Sequence, residues 1–587
     1  MRFTACLLGA LGLMLALGGA VQAAPTAFET YGQPALEAIN QSYLAGEITE
    51  AQALLYRFYW VKAFDKLPAQ YQLRASEPAR CGTPILLEVY SRMNELPAAM
   101  LAEIEDSRAR PGGLPLTRAT THYIIHYTNA GGSAAPESYI DQVAISCEVG
   151  WTAYHTARTW DTVPGDGSAG GGTNMIDCYV WALDPGLLGY AEPENLQPGT
   201  PEPYDMTGFF CVQNDMSQHD LEATVVHEYM HVIQFGYYGY QTWSWFMENC
   251  AVMGEEFAYD DNNDYRQRFA NFFAGPYQSF FSTVFDYCVL WPMYICERHS
   301  EATLEEIWAY AAYEANIWNS FDAILGPLGY NYTQAYMEFI KWCYYTNQRF
   351  DGQHYSESDH WVNMLYPDLT VSAYPSGEKH PSTNRFPDRL GTSIMRFNKE
   401  SGNTDDVLVV TFDGPACTAG VQFITKMGEA YTEYFFAPDG SGNGTFEVPG
   451  LSTCDYIFMF TSMARTCTAD NQDYAFWADT DEGNPGAVDE SSHLADRVRI
   501  YPTQPNPAVD YTTVRYELAQ PGSVTVRILD ASGRVVRNLY GGALHQGHYE
   551  MQWDARDDGG SPVASGVYYA QIATQGGTQT REVTILR

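Results

Sequence analysis

Apolar residues recur every three to four positions over many stretches of the chain, which is the period of an amphipathic helix. The pattern starts at residues 35–44 and 51–64, and it becomes apolar on all sides around residues 223–235. A helix without a polar face is buried. We therefore predict a buried helix at 223–235 and further helices at 85–93, 138–160, 245–257, 277–299, 302–315 and 333–345.

Short runs rich in β-branched and aromatic residues predict strands at 121–127, 175–181 and 208–213. Beyond residue 350 the chain gains Gly, Ser, Asp and Pro, and alternating apolar runs lie between turn residues. This pattern is typical of β-sandwiches. It predicts one all-β domain with strands at 393–397, 407–412, 421–425 and 456–460, then an acidic linker, then a second all-β module with strands at 514–518, 523–529 and 533–539.

The first residues have the pattern of a secretory signal peptide. Met1-Arg2 is followed by an apolar run at 5–21 and by the ending Val21-Gln22-Ala23. A basic start, a short apolar core and small residues at the end predict cleavage near Ala23 and export. The alternative, a membrane anchor, needs a longer apolar run.

Charge and cysteine content narrow the classes of partner. A formal net charge of −39 repels nucleic acid and anionic membrane surfaces, so neither is an expected partner. Of the twelve cysteines, Cys6 falls within the signal peptide, which leaves an odd number. In an oxidising compartment several should pair, with Cys454 and Cys467 as candidates for a bridge between strands. The scattered spacing does not predict a cysteine-based zinc cluster.

The buried helix carries the sequence His-Glu-x-x-His. His227 and His231 are four residues apart, so both imidazoles leave the same face of a helix, one turn apart. This spacing suits two ligands of one tetrahedral zinc ion. Glu228 is rotated away from that pair and can accept a proton from water without binding the metal.

A catalytic zinc site needs a third protein ligand and one open position. The next predicted helix supplies Glu248, seventeen residues beyond His231, which leaves enough chain for a turn and a return to the metal. Glu255, two turns further along the same face, is the alternative ligand. Glu256 is less well placed.

These residues resemble a known group. His-Glu-x-x-His followed by Trp-x-x-Glu-x-x-Ala is similar to the gluzincin metallopeptidases, the thermolysin and aminopeptidase type, and residues 30–350 resemble a family of secreted bacterial metalloproteases. The resemblance implies that His227, His231 and Glu248 bind Zn²⁺ and that Glu228 is the catalytic base. It also implies an oxyanion-stabilising Tyr or His from the helical lobe, for which Tyr287 is a weak candidate, because packing is the favoured explanation of Tyr287. One departure is that the family often has Gly where this chain has Asn249.

The predicted fold class is multidomain α+β. The expected order is a signal peptide at 1–23, a helical N-terminal segment at 24–118, a zincin-like metallopeptidase domain at 119–350 with a mixed sheet, an active-site helix and a helical lobe, and two β-sandwich domains at 351–478 and 497–587, joined by a linker at 479–496. The N-terminal segment is either a propeptide that masks the site or a permanent cap. The strand at 175–181 or the one at 208–213 is expected to border the substrate cleft.

Residues 497–587 resemble the FlgD-type Ig-like modules that end many exported bacterial proteins. Some of these modules are sorting signals for an outer-membrane secretion machine, and others are spacers. The sequence therefore predicts a secreted or surface-located zinc metallopeptidase of a Gram-negative-type bacterium, with a protein or peptide substrate and no stable membrane insertion. The alternative is an adhesin or structural protein that binds through its β domains and keeps the zincin fold as a scaffold.

Overall fold

A computed structural model of the protein describes residues 31–481 and 498–586 with short gaps. The predicted signal peptide, most of the predicted linker and Tyr287 lie outside the described residues. The gaps are at residues 77, 168, 171, 184–185, 198–199, 201, 240–242, 282–287, 315, 330, 363–366, 403, 501–502, 504–505, 507, 510, 519–521, 531–533, 545–546 and 575–576.

A six-stranded mixed sheet forms the frame of the region before residue 213. Its strands are β1 (Ala79–Cys81), β2 (Leu116–Ala119), β3 (Tyr123–Tyr127), β4 (Ile176–Val180), β5 (Leu187–Leu196) and β6 (Met206–Val212). They lie in the order β1-β5-β6-β4-β3-β2. Strands β3, β4 and β6 run parallel, β5 is antiparallel to β6, and β1 is parallel to β5.

The N-terminal segment is part of this sheet and is not purely helical. Its helices share one apolar core with Leu187, Tyr190 and Phe209 of the sheet. Lys62 and Glu192 form a buried ion pair across the contact, with 2.5 Å between Nζ and Oε2. The predicted boundary at 118/119 falls inside β2, which pairs with β3. The helices of the segment are α1 (Pro34–Leu44), α2 (Glu50–Lys62), α3 (Thr83–Ser91) and α4 (Ala98–Ser107).

Both strands predicted to border the cleft lie in the interior of the sheet, so that prediction is wrong. Strand β4 lies between β3 and β6, and β6 lies between β4 and β5. Strand β5 is the other neighbour of β6, and β1 pairs with the far side of β5. The sequence of β5 contains Gly, Pro, Glu and Asn, which are depleted in strands, so its pattern does not indicate a strand.

The opposite face of the sheet carries the buried helix and its neighbours. The predicted helix at 223–235 is longer, Gln218–Tyr237, and it begins where the Ser217 hydroxyl accepts a hydrogen bond from the Asp220 N–H. Beyond it, a core rich in aromatic residues holds the helical lobe, with Trp291 and Trp308 fully buried. The helices are α5 (Glu137–Trp151), α6 (Gln218–Tyr237), α7 (Ser244–Ala258), α8 (Phe269–Ala274), α9 (Leu290–Arg298), α10 (Glu301–Ala311), α11 (Ile317–Leu325) and α12 (Tyr332–Tyr344).

A β-sandwich follows the helical lobe and contains all four strands predicted for it. One sheet has the order β11-β10-β13-β8-β7 and the other β12-β9-β14. The sandwich contacts the lobe where Gln422 Nε2 donates to the Met337 carbonyl at 3.1 Å. Its strands are β7 (Leu369–Val371), β8 (Thr392–Phe397), β9 (Val407–Asp413), β10 (Thr418–Met427), β11 (Ala430–Phe436), β12 (Asn443–Pro449), β13 (Tyr456–Met463) and β14 (Ala475–Asp481).

The last module has two smaller sheets, in the orders β15-β16-β19 and β18-β17-β20-β21. The buried residues of its core include Val526, Ile528, Trp553 and Tyr568. The strands are β15 (Val498–Ile500), β16 (Thr512–Leu518), β17 (Gly522–Asp530), β18 (Val535–Leu544), β19 (Gly547–Trp553), β20 (Gly566–Thr574) and β21 (Gly577–Ile585). These sheets and the helices before them confirm a multidomain α+β fold. Within the described part of the chain, no helix has the length and apolar character to cross a membrane.

The cysteine pairing differs from the prediction. Cys467 is bonded to Cys417, whereas Cys454 is a free, buried thiol that donates to the Leu451 carbonyl. The other cysteines in the described residues are also free and buried.

Removing the disulfide is expected to destabilise the sandwich domain. The bridge closes a loop with a sequence separation of 50 residues. A loop of that length restricts the unfolded chain enough to contribute about 2–4 kcal/mol. The double variant Cys417→Ser/Cys467→Ser should therefore lower the sandwich transition in calorimetry. Cys454→Ser, which keeps a donor to Leu451, is the matched control, and an equal loss in both variants would contradict the assignment.

Candidate metal centre

Helix α6 places the two histidines of the motif side by side. His227 and His231 lie one turn apart with ring centroids 4.8 Å apart, and both are buried. Their Nε2 atoms face each other at 3.2 Å. The four-residue spacing on a straight helix thus brings two nitrogen donors to one point.

Glu248 reaches the same point from α7. Its Oε2 lies 3.3 Å from His227 Nε2, and its Oε1 lies 3.1 Å from His231 Nε2. The carboxylate is fully buried. The structure therefore brings together all three residues that the sequence predicts as metal ligands, His227, His231 and Glu248.

The outer nitrogen of each imidazole is held by an acceptor. His227 Nδ1 lies 2.7 Å from Glu255 Oε1, and His231 Nδ1 lies 2.8 Å from Gln234 Oε1. Gln234 is itself fixed, because its Nε2 donates to the Met247 carbonyl at 3.0 Å. An acceptor at Nδ1 keeps the proton there and turns the Nε2 lone pair of each ring inward.

Glu255, the alternative ligand, is therefore a positioning residue. It contacts the nitrogen of His227 that points away from the other donors, and its Oε2 pairs with Arg80 at 2.5 Å. Glu256 faces Asp260 and Glu357 in a separate acidic group. Burial raises the pKa of Glu256 to about 8, and the nearby carboxylates add to this effect.

The donor set fits a zinc ion. Two nitrogens bound to one tetrahedral zinc at about 2.0–2.1 Å lie about 3.3–3.4 Å apart, close to the 3.2 Å between the Nε2 atoms of His227 and His231. Neither oxygen of Glu248 has a hydrogen-bond partner among the described residues. Two inward lone pairs and two unpartnered carboxylate oxygens in a dry interior are costly unless a cation lies between them.

The pKa values of Glu248 and His227 reflect how closely these buried groups approach each other. Burial alone would raise the pKa of Glu248, but the charge of His231 and the adjoining imidazole of His227 lower it to about 2. Burial alone would lower the pKa of His227, but the carboxylates of Glu248 and Glu255 beside it raise it to about 10. The buried imidazole of His227 and the carboxylate of Glu248 therefore stabilise each other's charged forms.

Glu228, the predicted base, lies beside these donors and is fully buried. Burial raises its pKa to about 7, against the attraction of His231 and His227. Its Oε2 accepts from Thr83 Oγ1 at 3.2 Å and from Cys81 Sγ at 3.5 Å, while its Oε1 has no hydrogen-bond partner among the described residues. A buried carboxyl with such a pKa is suited to exchanging protons near neutral pH.

Sequence reasoning missed the contribution of the N-terminal segment. Cys81 and Thr83 reach the site although they precede the motif by more than a hundred residues, and the sequence shows Cys81 only as one of several scattered cysteines. The available signal was weak: a cysteine next to the start of helix α3, in the sequence Cys81-Gly-Thr-Pro. Asn249 is fully buried with an unpartnered amide among the described residues, and the structure gives no role for it.

His122 and His126, four residues apart at strand β3, each pair with a carboxylate and do not belong to the metal centre. His122 pairs with Glu148 at 2.7 Å, and His126 pairs with Asp177 at 2.6 Å. The extended backbone separates α-carbons four residues apart by about 13 Å, which keeps the two rings from sharing one ion.

The positioning role of Glu255 leads to a testable difference. Glu255→Ala is expected to lower zinc affinity by about 10–100-fold, the usual effect of losing a partner of a ligating imidazole. Glu255→Gln keeps an acceptor and should lose less. Competition with a chromophoric chelator measures both, with Glu256→Ala as the control. Full zinc in Glu248→Ala together with none in Glu255→Ala would make Glu255 the ligand instead.

Comparisons with known proteins identify the last module. The sequence profile of the FlgD Ig-like domain family matches residues 507–578. The basal-body rod modification proteins FlgD of Salmonella typhimurium and Salmonella typhi are each 45% identical over 65 residues, which is 11% of this chain and 28% of the relative. The chain thus spans little more than a quarter of the curated relatives it matches.

Similar solved structures include proteins of two bacteria. PorZ, a surface component of the type-IX secretion system of Porphyromonas gingivalis, is 21% identical over 28% of this chain and 22% of its own, with a TM-score of 0.13. Latent PorU of the same organism is 13% identical over 38% and 19%, with a TM-score of 0.16. A β-glucuronidase of Ruminococcus gnavus is 10% identical over 33% and 36%, with a TM-score of 0.14. TM-scores this low do not show a shared fold. The comparisons therefore identify one part of the chain, the FlgD Ig-like domain at residues 507–578.

Proposed function

We propose that the protein is a secreted zinc-dependent peptidase. The observation that carries the proposal is the convergence of His227 Nε2, His231 Nε2 and the Glu248 carboxylate, 3.1–3.3 Å apart, with Glu228 beside them. Two imidazoles and one carboxylate with a neighbouring general base form the ligand pattern of catalytic zinc in metallopeptidases.

In this proposal His227, His231 and Glu248 hold the ion. Zinc, when bound, lowers the pKa of water toward neutrality and polarises a carbonyl oxygen. Glu228 accepts the proton of the attacking water and passes it to the leaving amine. The buried walls around Glu228 exclude bulk water, so the proton stays on the carboxyl between the two transfers.

The substrate class in this proposal is a protein or peptide in extended conformation. Strand β5 runs next to α6, and Gly189 of β5 lies against Glu228: a Cβ at Gly189 would lie 2.7 Å from Glu228 Cγ. A peptide chain can add to the edge of a sheet through its backbone hydrogen bonds. A peptide that took the place of β1 along β5 would therefore pass directly over the base.

The signal-peptide pattern and the FlgD Ig-like domain support export, and we propose that the last module contributes to delivery through an outer-membrane secretion machine.

A protein that ends at residue 490 is expected to fold and to keep its zinc, because the module has its own core. It should lose delivery beyond the outer membrane. Assays of medium, cell surface and periplasm test this, and equal delivery of both forms would make the module a spacer.

The second candidate is an adhesin or structural protein in which the metal only stabilises the fold. The observation that favours it is Cys81, a fourth donor that approaches the three ligands, since sites with four protein ligands are usually structural.

The experiment that separates the two functions combines metal analysis with hydrolysis of a mixed peptide library. A peptidase should carry about one zinc per chain, and it should cleave peptides once Cys81 is replaced by Ala. A zinc-loaded protein that cleaves no peptide, either with Cys81 or with Ala in its place, would support the structural role.

A further inference from the structure

Cys81, at the end of β1, lies where three buried ligand residues meet. Its Sγ is 3.4 Å from His231 Nε2 and 3.5 Å from Glu228 Oε2, and its side chain is 3% exposed. One ligand atom from each of Cys81, His227, His231 and Glu248 lies within 4.8 Å of all the others. The thiol thus belongs to the same donor cluster as the predicted ligands.

The distances suit a sulfur ligand on the same ion. A sulfur at about 2.3 Å and a nitrogen at about 2.0–2.1 Å from a tetrahedral zinc are about 3.5 Å apart, which agrees with the 3.4 Å between Cys81 Sγ and His231 Nε2. The Thr83 N–H donates to the same sulfur at 3.3 Å, as expected for a sulfur that accumulates negative charge. Both oxygens of the buried Glu248 carboxylate lie in the cluster without a hydrogen-bond partner among the described residues, which independently indicates that a ligand belongs there.

The segment that carries Cys81 also engages the base. Thr83 Oγ1 lies 3.2 Å from Glu228 Oε2, and Cys81 Sγ approaches the same oxygen. While these contacts last, that oxygen of Glu228 has no room for a water molecule that could lose a proton to it.

The backbone of the segment occupies the edge of β5. Residues Ala79 and Cys81 pair in register with Leu187 and Gly189, and the Gly82 N–H donates to the Gly189 carbonyl at 2.9 Å. A substrate strand would need the same backbone groups of β5. The Cys81 thiol, the contact of Thr83 with Glu228 and the pairing of β1 with β5 therefore all exclude substrate from the groove along β5.

We propose that Cys81 is the fourth ligand of the metal and that β1 fills the substrate groove, so that the folded chain is a latent form. This inference rests on the proposed peptidase function. On binding, the thiol loses its proton to solvent and forms a sulfur–metal bond. On activation that bond breaks, the sulfur regains a proton, and water takes the vacated position.

Activation is a local withdrawal of residues 79–82, which precede helix α3, and not the loss of the whole N-terminal segment. Helices α1–α4 remain bound by the core that they share with the sheet and by the buried Lys62–Glu192 pair. By contrast, Gln72, Leu73, Arg74 and Ser76 just before β1 are exposed. A change confined to this connection can release β1 without unfolding the helices.

The test uses the full-length protein loaded with cobalt(II) in place of zinc. A thiolate ligand gives an intense near-ultraviolet sulfur-to-cobalt charge-transfer band. We expect this band in the wild type and in the control Cys454→Ala, which removes another buried thiol, and its loss in Cys81→Ala. Cys81→Ser, of nearly the same size, is measured as well in case Cys81→Ala does not fold. A wild type with one metal per chain and no sulfur band would overturn the proposal.

Closure of the site is measured separately with acetohydroxamate, a small chelating probe for an open zinc position. Calorimetric titration of the zinc-loaded proteins should show at least tenfold tighter binding to Cys81→Ala than to the wild type. Equal binding would overturn latency. If the band and the closure behave as expected but Cys81→Ala cleaves no peptide, the proposed peptidase function fails while Cys81 remains the ligand. If the wild type lacks the band but cleaves peptides, the present inference fails while the peptidase function stands.

Discussion

Glu248→Ala is expected to reduce bound zinc from about one ion per chain to less than about a tenth, because it removes one of the donors that the ion requires. The loss extends to stability. Apparent binding free energies of about 10–16 kcal/mol for zinc at structural sites become folding free energy when the unfolded chain does not bind the ion. The variant should therefore unfold at a markedly lower temperature than the zinc-loaded wild type.

The measurement is metal analysis together with calorimetry on the same samples. His231→Ala should give the same two losses, since it removes a donor from the same point. His219→Ala is the matched control: it lies on the same helix but is exposed and pairs with Asp264 at 2.8 Å. Retention of full zinc by Glu248→Ala, with an unchanged transition, would show that Glu248 is not a ligand.

The second large effect is expected for Glu228→Gln in the Cys81→Ala background. The amide has nearly the shape of the carboxyl but cannot accept a proton, so hydrolysis should fall by about 10²–10⁴-fold, the usual contribution of a general base. Zinc content should stay at the level of the parent. Single-turnover cleavage of a peptide library, with metal analysis beside it, measures both quantities.

Glu222→Gln is the control for this substitution, because it makes the same chemical change on the same helix at a residue that contacts Gln218. It should leave the rate unchanged. Undiminished turnover in Glu228→Gln would remove Glu228 from the mechanism, and loss of zinc in that variant would show that its carboxylate binds the metal.

The residues of the site that could be predicted from sequence are those separated by short intervals along the chain. A four-residue interval on a buried helix places His227 and His231 on one face, and a short connection brings back Glu248. The sequence does not distinguish a residue that positions a ligand from a residue that binds the metal. Glu255 has the right spacing to be a ligand, and only its contact with His227 Nδ1 and Arg80 shows that it holds a ligand instead.

The parts that could not be predicted depend on distant pairing. Cys81 meets Glu228 across 147 positions of sequence, and no periodicity encodes such a contact. Strand β1 has three residues and is too short to show a pattern, and β5 contains residues that disfavour strands. Likewise, Cys467 pairs with Cys417 and not with the nearer Cys454, because bonding geometry and not sequence proximity selects the partner.

The pairing of β1 with β5 also has a consequence for how the chain folds. Thr83 contacts Ala191 across 108 positions, so this edge of the sheet closes only after most of the N-terminal half has been synthesised. Contacts of such long sequence separation slow folding, because the loop between them must be ordered first. A shortened gene that starts at β3 is therefore expected to yield aggregated protein, because the apolar face of the sheet that the N-terminal helices cover would be exposed during synthesis.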